Sequence, residues 1–411
     1  MADIKLQEKY AELALRTGVN LQKGQALMVN SSIEGVEFTR IVVRKAYELG
    51  AKSVLINWQD DEISLLKYQN ESEAVLTDVR PWQVDKYLEF AKDGGALLSI
   101  RSTNPDLLKD VDAKKVAAAS KASAEAMKEF RTYTMNDRIA WSIISIPTGD
   151  WSKKIFPGLE AEEAKEKLWE QIFKIVRVDQ EDPIKAWDDH NQTLKNAHAI
   201  LNDKKYQALI FKAPGTDITF GLPKGHIWKG GGAYTTDGLH FNPNMPTEEV
   251  FTVPAKYDVN GVVSNTKPLV YNGNTIDNFS LTFKDGQVVD FEAEQGYDTL
   301  KNLLETDDGA KRLGELALVP DASPISQSGL IFYNTLFDEN ASCHVALGKA
   351  YPTNLEGGSE MTDEELDQHG VNDSLTHVDF MIGSAELDID GILPDGSTEA
   401  VFRKGAWAFD I

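Results

Sequence analysis

Apolar positions along the chain follow two different periods. Up to about residue 190, short apolar runs alternate with stretches of helical spacing. Ala26 to Val29 reads as a strand, Ile33 to Leu49 as a helix and Val54 to Trp58 as a second strand. A helical pattern around Val84 to Ala91 then leads to a third strand candidate, Ala96 to Ile100. Strand, helix, strand is a βαβ unit, and its short apolar strands are of the kind buried in a parallel sheet. Ser31 and Glu34 stand at capping-box spacing for its helix, and Leu6, Tyr10 and Leu13 share one face of an N-terminal helix.

Between Glu160 and Tyr206 helix formers dominate, with Leu168, Ile172 and Ile175 on one face and Trp187 and Leu194 seven apart. From Ala208 onward the period becomes two. Phe279 to Phe283 and Val288 to Phe291 alternate around Asp285-Gly286, a strong hairpin signal. The expected fold is an α/β N-terminal domain over 1–190 and an α+β C-terminal domain, rich in β-hairpins, over 191–411, a two-domain subunit. Neither an internal repeat nor a Pro/Gly/Ser linker marks the boundary.

The length of 411 residues supports two cores rather than one. No run approaches the roughly 20 apolar residues of a membrane span, and Met1 to Gly18 lacks the basic and apolar segments of a secretory leader. The single cysteine, Cys343, excludes an intramolecular disulfide and a Cys-based zinc cluster, which points to the cytoplasm. Any metal must therefore use His and carboxylates. With 42 Lys and Arg against 65 Asp and Glu, the formal charge of -23 repels phosphate backbones, so nucleic acid is not an expected partner.

The common nucleotide-binding and serine or zinc hydrolase motifs are absent, and Gly230-Gly231-Gly232 lacks phosphate-loop spacing and reads as an ordinary loop. His377 and Asp379 lie two apart in the strand-like run Leu375 to Ile382, so both point to one face, either as metal ligands or as a hydrogen-bonded pair. Glu248 and Glu249 enter a strand-like stretch hemmed by prolines. Alternation turns Glu249 inward with Phe251 and leaves Glu248 solvated or supporting its neighbour. Glu315 stands where a helical segment gives way to an apolar strand, and His344 lies in a polar concentration with Asp338, Glu339, Asn340, Cys343 and Tyr351. Cys343 reads as either a nucleophile or a small core residue. Two Glu, two His and one Asp form a donor set suited to two ions of zinc, cobalt or manganese.

Together, Pro246-Thr-Glu-Glu-Val-Phe-Thr252, Leu313-Gly-Glu-Leu-Ala-Leu-Val319, Leu336-Phe-Asp-Glu-Asn-Ala-Ser-Cys-His344 and His377-Val-Asp-Phe-Met-Ile-Gly-Ser384 resemble the thermophilic aminopeptidase (aminopeptidase T) family, in its PepS/AmpS branch. The likeness extends over essentially the whole chain. It implies Glu249, Glu315, His344, His377 and Asp379 as ligands of two divalent ions, with Tyr351 beside them. It further implies removal of N-terminal residues from short peptides and a homodimer enclosing the active-site cavity. Glu248 is a candidate for proton transfer. The competing readings are another metal-dependent amide hydrolase and a metal- or peptide-binding protein without turnover.

Overall fold

The computed structural model describes residues 3–102 and 104–411; Met1 and Ala2, which open the segment read for a leader, lie outside them. The chain divides into two compact units, one formed by 1–192 with 231–247 and the other by 193–230 with 248–411.

In the first unit four parallel strands lie in the order Ser53–Gln59, Ala26–Ser32, Ala96–Arg101, Trp141–Ser145. Leu27 pairs with Val54 on one side and Ala96 on the other. The strand, helix, strand pattern emerges as expected, with the helix at Val36–Glu48. Two details differ. Strand Ala26–Ser32 runs through Ser31, whose Oγ pairs with Thr39 Oγ1 at 2.8 Å, and a 3-10 turn at Ile33–Gly35 precedes the helix, so Ser31 and Glu34 form no capping box. Strand Ser53–Gln59 is one of the sheet's two outer strands and has no buried residue; Leu55 and Trp58 face solvent. An apolar run alone does not distinguish a central strand from an edge strand.

In the second unit antiparallel pairing prevails. A nine-stranded sheet includes the hairpin of Asn274–Lys284 and Gln287–Gln295. Asp285 and Gly286 both take positive φ, 50° and 74°, as the expected turn demands. A Cβ on Gly286 would lie 2.0 Å from the Lys256 carbonyl oxygen, so only glycine fits there. The second sheet has four strands in the order His377–Met381, His344–Gly348, Leu313–Leu318, Val250–Thr252. The chain thus combines a parallel sheet, antiparallel sheets and helices. Among the described residues, no helix is long and apolar enough to cross a membrane.

Candidate metal centre

The four-stranded sheet sorts its residues by face. Leu316, Leu318, Val345, Leu347, Val378 and Phe380 join Val250 in the buried core of the second unit. Their alternates face the other way. Register couples Phe251 to Ala317, Ala317 to His344 and His344 to Met381, while Glu315 opposes Ala346 and Ala346 opposes Asp379. Directly opposed residues in antiparallel strands share a face, so Glu315, His344, His377 and Asp379 stand on one surface with Ala317 and Ala346 between them. Each core side chain contributes about 1.5–3 kcal/mol on burial, which offsets the several kcal/mol that a buried carboxylate without a cation costs.

A bulge aims Glu315. Leu313 opposes Leu347, but Glu315 opposes Ala346, so Gly314 is the extra residue. Without it, Leu313 and Glu315 would share a face; with it, Leu313 enters the core and Glu315 the site.

Among the described residues, two groups of three can each hold a metal ion: Glu249, Glu315 and His344, and Glu315, His377 and Asp379. Glu315 belongs to both. Its Oε1 lies 3.6 Å from His344 Nε2 and its Oε2 lies 3.4 Å from His377 Nε2. Glu249 Oε2 is 2.9 Å from His344 Nε2, and Asp379 Oδ1 is 3.6 Å from His377 Nε2. All five expected ligands therefore come together. The His377 and Asp379 side chains retain 20% and 13% of their exposure against 1% for His344, so solvent reaches the group from the His377 side.

The donors fit a metal. His344 Nδ1 lies 3.1 Å from the Ser342 carbonyl oxygen and His377 Nδ1 lies 2.6 Å from that of Lys349. Each Nδ1–H donates to its carbonyl, which leaves Nε2 facing the carboxylates as the nitrogen that could take a cation. Glu249 Oε2 and Asp379 Oδ1 are buried and accept no well-directed hydrogen bond. Burial pushes both imidazoles down, but the carboxylates opposite outweigh it, raising His377 to about 9 and His344 well above its ordinary range. Burial also pushes Glu315 up, yet the two imidazoles bring it down to about 2. Glu249 and Asp379, chiefly through burial, stay above the ordinary carboxylate range.

Glu248 corrects the solvated option. It is as buried as Glu249, because the strand begins only at Val250 and strict alternation does not reach back to it. Its backbone N–H donates to Asn340 Oδ1 at 2.7 Å. Tyr351 stacks edge-on against His377, with ring centroids 5.1 Å apart, and against Phe251 at 5.9 Å. Burial, then the charges of Glu315 and Asp379, keep its phenol protonated far above neutral pH. Sequence reasoning left Glu339 without a role. It is buried, and burial together with the negative charges of Asp379 and Glu249 pushes it well above the ordinary range. Its one sequence signal was its place in the polar run before His344. The glycine cluster behaves as a loop: Lys229 and Phe251 exchange backbone hydrogen bonds, and Gly230 comes so near Glu249 that a Cβ would sit 2.9 Å from its carbonyl oxygen.

Cys343 packs in the core opposite the ligand face, and burial pushes its thiol to about 12, so it carries no thiolate at neutral pH. Cys343→Ser should keep kcat within about twofold while lowering stability by about 1–2 kcal/mol. Steady-state kinetics and thermal melts check both; loss of turnover in a folded, metal-loaded variant would revive the nucleophile.

Comparison with known proteins defines the class. Residues 4–407 match the family described as thermophilic metalloprotease (M29), and the chain belongs to that family of metallopeptidases. It is 56% identical over 404 residues to Aminopeptidase 2 of Geobacillus stearothermophilus, covering 98% of both chains. It is 51% identical over 400 residues to Aminopeptidase AmpS of Bacillus subtilis (strain 168), covering 97% of this chain and 98% of the relative. Wild-type AmpT from Thermus thermophilus superposes with a TM-score of 0.91 at 41% identity, over 99% of this chain and 100% of that one. The chain is accordingly a metallo-aminopeptidase, a hydrolase of peptide bonds, and the reading without turnover falls away.

Proposed function

We propose that the chain removes single residues from the N-termini of short peptides with two divalent ions, zinc, cobalt or manganese. Glu249, Glu315 and His344 would hold one, and Glu315, His377 and Asp379 the other. The observation that carries this reading is the division of Glu315, whose two oxygens face different imidazoles. Bound there, the ions supply Lewis acidity to the scissile carbonyl and to a water. Tyr351, kept protonated beside His377, donates its phenolic hydrogen to the oxyanion that develops on the substrate carbonyl. Glu248, buried one residue before Glu249, moves a proton between the attacking water and the leaving amine. The unit that carries all five ligands acts as the catalytic domain of a two-domain subunit. A cytoplasmic homodimer belongs to the same proposal; the lone unpaired Cys343 supports the location, and sedimentation velocity tests the assembly.

The test uses short peptides with free and acetylated N-termini. Free peptides should shorten by one residue at a time, chelator should stop the reaction and added metal should restore it. Acetylation removes the charge and basicity of the terminal amine, so blocked peptides should be cleaved at least about 100-fold more slowly. Internal cleavage, or equal rates on both forms, would overturn the exopeptidase reading while leaving metal-dependent hydrolysis standing.

Metal uptake should also depend on pH. The carboxylates opposite raise His377 to about 9 and push His344 well above its ordinary range, so near neutral pH an incoming ion competes with protons for these imidazoles. Affinity should therefore rise with pH from about 7 toward 9, with protons released on binding. Calorimetric zinc titrations in buffers of different ionisation enthalpy read that release; uptake independent of pH would contradict the ligand assignment.

A further inference from the structure

The 3-10 turn Glu339–Ala341 is tied to the ligand segments on both sides. Asn340 Oδ1 accepts the N–H of Glu248, the residue before Glu249, at 2.7 Å. The Ser342 carbonyl oxygen, just past the turn, lies 3.1 Å from His344 Nδ1. Glu339 opens this turn and is only 7% exposed. Its carboxylate accepts one long hydrogen bond, at 3.4 Å from Asn340 Nδ2, an amide that already donates to the Leu336 carbonyl at 2.9 Å. Among the described residues, no Lys, Arg or His stands within ion-pair distance of it.

The charges that reach Glu339 are mostly negative. Burial first, then Asp379 and Glu249, push it well above the ordinary carboxylate range, and His344 opposes them. Its own charge reaches the Tyr351 phenol. Glu339 therefore borders the ligand set, yet it belongs to neither group of three that could hold an ion. In the proposed reaction the two ions meet the carboxylates of Glu249, Glu315 and Asp379, which leaves Glu339 without a cation. A buried carboxylate is costly unless a cation and hydrogen bonds meet it. The cation that an unblocked peptide brings is its terminal ammonium, whose pKa of about 7.7–8.0 keeps it largely charged at neutral pH.

We propose that Glu339 receives the terminal ammonium of the peptide and so sets the preference for an unblocked N-terminus. Its carboxylate accepts N–H bonds from the ammonium, whose charge offsets the burial of the carboxylate. An acylated terminus or an internal peptide group offers a single uncharged N–H there, so either leaves the carboxylate without a cation. Glu339 and every ligand named lie in one compact unit, that of 193–230 with 248–411. The assignment rests on the proposed exopeptidase action and on Glu249, Glu315 and Asp379 being metal ligands.

The test compares wild type with Glu339→Gln, which keeps the side chain's shape and its contact with Asn340 while removing the charge. Two substrates are given to the zinc-loaded proteins: leucine p-nitroanilide, and 4-methylpentanoyl p-nitroanilide, which lacks only the amine. Glu339→Gln should lower kcat/KM on the leucine substrate about 30-fold, chiefly through KM, and change it on the des-amino substrate by less than about threefold. Calorimetry supplies a readout without turnover. Leucinol, an amino alcohol, should bind the zinc-loaded variant about 30-fold more weakly than wild type, with zinc content unchanged. Where the glutamine variant does not fold, Glu339→Asp, which draws the charge back by one methylene, should raise KM on the leucine substrate and not on its des-amino counterpart. A preference between the two substrates as large as in wild type, or unweakened leucinol binding, would overturn the assignment, because a carboxylate that transfers protons or supports ligands acts on both substrates alike. A wild-type protein that does not distinguish the two substrates would instead overturn the exopeptidase reading.

Discussion

Glu315→Gln is expected to lower kcat at least about 1,000-fold while leaving the protein folded. The substitution keeps the side chain's size and removes the carboxylate common to both groups that could hold an ion. Metal Lewis acidity contributes several kcal/mol to stabilising the developing charge, and each 1.36 kcal/mol is a factor of ten. Replacing any ligand outside the shared position disturbs one group directly, whereas Glu315→Gln disturbs both. Metal analysis should find fewer ions per subunit than in wild type, and circular dichroism should find the same secondary structure. Near-normal activity at saturating metal would mean that Glu315 bridges nothing.

A second large effect should come from a glycine that carries no side chain into the site. A Cβ on Gly314 would lie 2.4 Å from the carbonyl carbon and oxygen of Lys349 and 2.5 Å from the Gly348 carbonyl oxygen. Those atoms belong to backbone and cannot rotate away, so Gly314→Ala should destabilise the fold by about 3 kcal/mol or more. Relief by abandoning the bulge would restore regular alternation and turn Glu315 toward the core face. Activity should then fall about as far as in Glu315→Gln even below the melting temperature. Gly158→Ala is the control, because a Cβ there meets nothing within 4 Å. A Gly314→Ala protein with wild-type melting temperature and turnover would refute the role of the bulge.

Much of the centre is legible in the sequence alone. His377 and Asp379 are separated by one strand residue, and period-two geometry alone sends them to one face. The turn at Asp285-Gly286 was equally plain, because two consecutive left-handed residues are a strong local demand. Glu248 was less so. Strict alternation does not reach back beyond Val250, where the strand begins, and the Glu248 N–H is held by Asn340 rather than by a neighbouring strand. The Ser31–Glu34 spacing misled for a related reason, since the strand's pairing with Ser53–Gln59 carries it through Ser32 before a helix can start.

By itself the sequence determined the periods, the types of secondary structure, the donor chemistry of the ligands and, through its motifs, the family. These are local properties, set by a residue and its near neighbours. The tertiary structure alone decided that Glu315 faces two imidazoles, because its direction depends on a bulge against a strand some thirty residues later. It alone brought Glu339 into the same charged group and set the Asn340 amide against the Glu248 N–H. Charge interactions and hydrogen bonds between residues distant in the chain depend on separation in space, which no spacing along the sequence encodes.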